Sequence, residues 1–496
     1  MRMIRERSNQ PDNDIRQGRS KLRVLLFQCL IFNFSFLIPF AGQAQSFTVK
    51  GSAPNFIGKE MRLMVQDDPI SGKEVLLAKT KVGTDGSFSL SGSVEPVQYG
   101  FLQIDRECGD LFLQGGKSVV VRFAPLKRPK GPEAFSDRYF FQLDIIEGEG
   151  AKLNREISLF NARLDGFLEN LYPLLKKGKN PKLIADSVAA FKLRTDAEFA
   201  TSQAFAKQYM FYALGNLELT FVSKRKILFD RYLKGREAQP NNPEYIRFIN
   251  QFFEGQVERM ALIDKREECI AILKKSSAFA ALEQLLLSDP FLQDVFIRRA
   301  ILIQGMEKLF GQKGFDDNRV SATLREFSKL SSNSDLIKAA NNIADRKDGL
   351  RANTQAPDFS LTDTEGKVYR LSDFKGKYLL LEITDAANAY SQQESSVLRD
   401  MLKRFPRVKF LTVCLGNTEK EVSNYKQLFA PNRPVCSIAR THKMVSDYQI
   451  MSLPGFFLIG PDGRFYRSPA LDPSKGGISE LEVLHAKIEG KGKVGE

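Results

Sequence analysis

The 496-residue chain has no tryptophan and only two histidines, His442 and His485. Neither histidine has a Cys or His partner at ligand spacing, so a His-rich metal site is excluded and no cofactor is expected. Five cysteines are present: Cys29, Cys108, Cys269, Cys414 and Cys436. They form no C-x-x-C pair and no dense framework, which excludes a disulfide-stapled scaffold. Beyond residue 44 no apolar run is long enough to span a bilayer. No recognised nucleic-acid-binding motif accompanies the basic charge, so nucleic acid is not an expected partner.

What is present is ordinary globular material: 43% hydrophobic, 27% charged, with 39 phenylalanines available where tryptophan might have served the cores. The formal net charge is +14. Residues 1–44 hold seven Lys/Arg and three Asp/Glu, so about +10 belongs to the remainder. That charge suits a solvated basic surface, or contact with lipid headgroups and acidic glycans. At roughly 100–200 residues per domain, the length accommodates two to four domains.

Residues 22–44, "LRVLLFQCLIFNFSFLIPFAGQA", carry an apolar run after Lys21 and Arg23, then Pro39, then Gly42 and Ala44 at the −3 and −1 positions of a cleavage site. We read residues 1–44 as a secretory signal; an uncleaved anchor is the competing reading. Gln28 before Cys29 is too large for a usual lipobox. Cleavage leaves no transmembrane span, and the expected location is the periplasm or cell envelope.

Residues 46–125 read as six or seven short antiparallel strands of a β-sandwich, with "TDGSFSL" as the clearest case: an Asp85-Gly86 turn, then Phe88 and Leu90 on one face. "PLKRPKGPEAF", 125–135, is a Pro- and Lys-rich break. From 135 to about 350 strand signals vanish and some eight amphipathic helices are expected; Ile157, Phe160, Leu164, Phe167, Leu168 and Leu171 set the pattern. Such Phe/Leu stripes are more often helix–helix core than the lining of a groove. Residues 354–490 alternate strand and helix and end in an antiparallel hairpin turning at Pro461-Asp462-Gly463, which implies a mixed sheet covered on both faces. The fold class expected is therefore multidomain α+β.

Two motifs in the last region are specific. The first is Ala356-Pro357-x-Phe359-x-Leu361-x-Asp363-x-x-Gly366, followed by Leu371-x-Asp373-x-x-Gly376-Lys377. The second is Tyr448-x-Ile450-x-x-Leu453-Pro454. On these residues the region resembles the exported TlpA/ResA-like branch of the thioredoxin-like superfamily, next to the alkyl hydroperoxide reductase/thiol-specific antioxidant group. The resemblance implies a thioredoxin-like α/β domain, a W-C-x-x-C at the start of its first long helix, and a cis-proline at Pro454. It places the two cysteines at Asn388 and Ser391, and this chain has sulfur at neither. A thiolate attacks and a second thiol resolves the mixed disulfide; an Asn amide and a Ser hydroxyl without a base do neither.

Ser391-Gln-Gln-Glu394 has the form of a capping box, and Asn388 also suits a turn or cap. A cis Leu453-Pro454 bond would expose backbone to which an extended peptide or envelope protein could pair. Three functions compete. One is a redox-inactive binding or scaffolding module. A second is a thiol–disulfide oxidoreductase or antioxidant using displaced cysteines, Cys414 and Cys436, which lie on strands expected to be neighbours and are either buried thiols or a disulfide. The third is a glycan or peptide receptor built from the first two regions.

Overall fold

A computed structural model describes residues 44–125, 138–176, 181–221, 224–440, 442–450 and 452–489. The leader expected over 1–44, save Ala44, lies outside the described residues, as does most of the Pro/Lys-rich break. Among the described residues no helix is long and apolar enough to cross a membrane.

The first layer pair is a β-sandwich. Its strands are β1 (Gln45–Ser52), β2 (Glu60–Gln66), β3 (Glu74–Lys81), β4 (Ser87–Val94), β5 (Val97–Ile104), β6 (Glu107–Gln114), β7 (Ser118–Arg122), β8 (Tyr139–Phe141) and β9 (Asp144–Glu147). One sheet has the order β4-β1-β7-β9, the other β3-β2-β5-β6-β8. Strand β4 follows the alternation rule: Phe88, Leu90 and Val94 point inward, after a turn whose Gly86 has a φ of 79°. Two features differ from the strand pattern. β1 pairs with β7, and β6 with β8, in parallel, so the sandwich is not wholly antiparallel. The sheets also reach past residue 125, because β8 and β9 close an edge of each. At three and four residues, these strands are too short for alternation to register.

Eleven α-helices of the described residues follow: α1 (Ala151–Lys176), α2 (Pro181–Glu198), α3 (Ala204–Phe221), α4 (Arg225–Tyr232), α5 (Pro243–Phe252), α6 (Gln256–Arg259), α7 (Arg266–Leu273), α8 (Ala278–Leu286), α9 (Val295–Glu307), α10 (Asp317–Leu330) and α11 (Ser334–Gly349). The phenylalanine stripes are core: Phe160, Phe248, Phe279 and Phe327 are fully buried. Local signals start the helices. Asn242 accepts from the backbone N–H groups of Glu244 and Tyr245, with Pro243 at the first helical position of α5.

The last domain has a small hairpin, β10 (Ser360–Thr362) with β11 (Val368–Arg370), and a five-stranded mixed sheet. In chain order its elements are β12 (Tyr378–Thr384), α12 (Ala389–Met401), β13 (Val408–Leu415), α13 (Glu419–Phe429), β14 (Val435–Ile438), α14 (Lys443–Asp447), β15 (Gly455–Ile459), β16 (Phe465–Ala470) and α15 (Gly477–Ile488). The order β14-β13-β12-β15-β16 puts β12 in the centre, parallel to β13 and antiparallel to β15. A strand covered on both faces reads as a continuous apolar run, and "YLLLEIT" does so. Leu379, Leu381 and Ile383 join one core, while Leu380 joins another with Leu398 and Met401 of α12.

Candidate functional site

Strand β12 ends at Thr384 and delivers a four-residue loop, Asp385 to Asn388, to the start of α12. Asn388 is the helix cap: its Oδ1 accepts from the Ser391 N–H at 3.0 Å. The capping box expected at Ser391 and Glu394 is therefore one turn out of place. Ser391 already lies inside the helix, and buried Glu394 instead accepts from the Ser474 N–H at 2.9 Å and from the Ser474 hydroxyl. Ser391 is fully buried, and its Oγ has no hydrogen-bond partner among the described residues.

Asp385, wholly buried, organises the loop. Its Oδ1 accepts from the Ala387 N–H at 2.9 Å and from Asn417 Nδ2 at 2.9 Å, while Asn417 Oδ1 accepts from the Ala386 N–H at 3.0 Å. Its Oδ2 lies 3.0 Å from Arg106 Nη2 and 3.3 Å from Arg440 Nη2. Beneath the loop, Glu382 on β12 pairs with Arg433 at 2.8 Å, each side chain 1% exposed. Thr412 donates to Glu382 at 2.7 Å and Tyr425 at 3.2 Å, so the buried carboxylate is satisfied. Burial, then the Glu382 charge, push the Tyr425 hydroxyl far above its ordinary range.

The thiols lie elsewhere. Cys108, Cys269, Cys414 and Cys436 are all buried and unbridged. Cys414 and Cys436 do sit on neighbouring strands, but the register pairs Cys414 with Ser437 and Cys436 with Val413. The two sulfurs thus point to opposite faces of the sheet, and the disulfide considered from the sequence is excluded. Burial pushes the Cys436 thiol up to about 12 and the Cys269 thiol up to about 11. Burial, with the Glu382 and Asp385 charges, pushes Cys414 well above its ordinary value. Groups so shifted carry almost no thiolate at neutral pH.

The Leu453–Pro454 bond is cis, as the motif implied, and both residues are buried. The residues that sequence reasoning missed are Asp385, Asn417, Arg440 and Arg106. A charged residue directly after an apolar strand was a usable signal for Asp385. Nothing near Arg106 marks it, because its partner is 279 residues away.

Comparison with known proteins matches residues 352–467 to the AhpC/TSA family. The likeness is confined to this part of the chain. The same region is 31% identical over 121 residues to the thiol-disulfide oxidoreductase ResA of Bacillus subtilis (strain 168), covering 24% of this chain and 66% of that protein. It is 27% identical over 124 residues to the ResA of Geobacillus kaustophilus (strain HTA426), covering 25% and 71%. The chain thus spans just under two thirds of the first relative's length. Among solved structures, the domain is similar to the thioredoxin domain of a thiol-disulfide oxidoreductase from Bacteroides vulgatus (19% identity, 27% of this chain, 99% of that chain, TM-score 0.26). A thiol-disulfide oxidoreductase from Bacteroides fragilis NCTC 9343 is similar at 18% identity, covering 26% and 99%, with a TM-score of 0.25.

Proposed function

We propose that the chain is an exported thioredoxin-domain protein of the cell envelope that lacks redox chemistry and acts as a binding or scaffolding module. The observation that carries this reading is the start of α12: an amide at Asn388 caps the helix, an alcohol at Ser391 is sealed inside it, and every described thiol is buried elsewhere. Exchange with a disulfide requires an accessible thiolate, and a helix N-terminus without sulfur supplies none. Oxidoreductase chemistry through Cys414 or Cys436 is opposed by their burial and raised pKa values. Export rests on the leader pattern. Catalysis of insulin reduction by dithiothreitol tests the reading: the mature protein should leave the uncatalysed rate unchanged, and turnover would sink the proposal.

A second reading, a receptor for a glycan or peptide, is favoured by one concave feature. A groove of about 870 Å³ runs between the sandwich and the helices, lined by Tyr99, Asp110, Tyr209, Glu244 and Arg247 among others. Phe112, Ile246 and Ile301 lie beside these polar groups, so the lining is mixed, and its volume is in the range of ligand sites. Ligand-induced protection against thermal unfolding, reduced by Arg247→Ala, would support it; protection unchanged in that variant would count against this groove.

A further inference from the structure

Three loops converge at one end of the C-terminal sheet. Asp385 follows β12, Asn417 follows β13 and Arg440 follows β14, and all three side chains meet. The crevice beyond the carboxyl ends of parallel strands is where open α/β sheets take their ligands. Here a side chain from another domain already lies in it.

Arg106 belongs to the two-residue turn between β5 and β6 of the sandwich, whose other residue, Asp105, has a φ of 51°. A hairpin tip is ordinarily the most solvated part of a sheet. Asp105 keeps to that rule and is exposed, but the Arg106 side chain is 8% exposed and Glu107 is buried beside it. The guanidinium is held from both sides. Its carbon lies 4.8 Å from the centre of the Tyr139 ring, on the sandwich, and its Nη2 lies 3.0 Å from Asp385 Oδ2, on the C-terminal domain. The backbone of the tip is fixed too, since the Tyr139 N–H donates to the Arg106 carbonyl at 2.7 Å. A carboxylate with no exposure, facing guanidinium groups from two domains, is an arrangement that resists loss of either partner.

We propose that the β5–β6 hairpin tip is the resident occupant of this crevice, with Arg106 in the place of a ligand side chain. The β12–β15 register sets Ile383 opposite Gly455, which brings Leu453 and Pro454 beside the same loop, so the hairpin tip stands where the extended peptide expected there would approach. This deepens the binding-module reading by naming the module's partner as the chain itself. Turnover of insulin would sink that reading and leave the contact untouched; the experiment below tests the contact alone.

The probe is a thiol at Ala387, half-buried at the loop mouth, introduced as Ala387→Cys in the full mature chain. The four native thiols are buried and serve as the background. Labelling by a bulky maleimide is timed with and without Arg106→Ala, and circular dichroism confirms that each variant is folded. Labelling should accelerate by about tenfold or more when Arg106 is removed, as protection by a closed contact is lost. Equal rates in the two folded proteins would overturn the proposal. If Arg106→Ala does not fold, Arg106→Gln, which keeps the stem and removes the charge, takes its place under the same criterion. Urea unfolding of Arg106→Gln, Asp385→Asn and the double variant gives a second readout: the two effects should be non-additive, and simple additivity would contradict a direct contact.

Discussion

Ser391 is a hydroxyl in surroundings that offer its oxygen no partner among the described residues. A sulfur tolerates such a place better, being a weak donor and acceptor. We therefore expect Ser391→Ala and Ser391→Cys to leave stability unchanged or raise it by about 1 kcal/mol, since an unsatisfied buried hydroxyl is removed. A loss of more than about 1 kcal/mol in urea unfolding would mean that the oxygen is bonded. The cysteines make a second prediction. Ellman's reagent should find no reactive thiol in native protein of residues 45–496 and all four in denaturant; a native-state thiol reacting at the rate of a free one would contradict their burial. At this level the sequence was half legible. The absence of sulfur at Asn388 and Ser391 could be read directly, and so could the cap. Which of the two polar residues does the capping could not be, because S-x-x-E and a lone Asn are both valid caps and only the loop length decides.

Helix α3 and strand β12 each hide a charge, and each is tied down by neighbours. On α3, burial works to raise the Glu218 pKa, but hydrogen bonds from Tyr232 at 2.6 Å and Arg231 at 2.7 Å, with Lys192 at 3.4 Å, outweigh it and leave it below the ordinary value. A depressed carboxylate contributes stability above its unfolded pKa and loses it as pH falls through the folded one. Glu218→Gln should cost about 1.5–3 kcal/mol at pH 7, the range for charged hydrogen bonds, and the gap to wild type should close in acid. A gap independent of pH would refute the assignment. On β12, Arg433→Leu strands the Glu382 carboxylate and should cost about 3–5 kcal/mol in denaturant titrations. A cost below about 1 kcal/mol would show that Glu382 is not held as a buried ion pair. Long periodic elements such as α1 and β12 were legible in the sequence. β8, β9 and the four-residue α6 were not, because three or four residues hold at most two repeats of the strand period and barely one of the helix period.

The three regions fold against one another through contacts that no local pattern announces, some apolar, as where Phe112 of β6 shares a core with Phe160 and Tyr209, and some polar. Asn342 of α11 donates to Asp68 in the β2–β3 loop at 2.8 Å, and Arg346 donates to the Ser71 carbonyl at 3.1 Å. Arg106 joins the sandwich to the last domain in the same manner. Composition and periodicity located the regions, since each has its own period, but contacts between regions depend on single residues hundreds of positions apart. The consequence for function is that the site loop is bound into an intramolecular interface and carries no sulfur. The most direct measurement is the intact mass of the protein of residues 45–496 after equilibration in glutathione buffers, from reducing to oxidising. The account predicts one unchanged mass with four free thiols throughout. A loss of about 2 Da, or a glutathione adduct, appearing within the physiological range of potentials would reveal a working dithiol or reactive cysteine and contradict it.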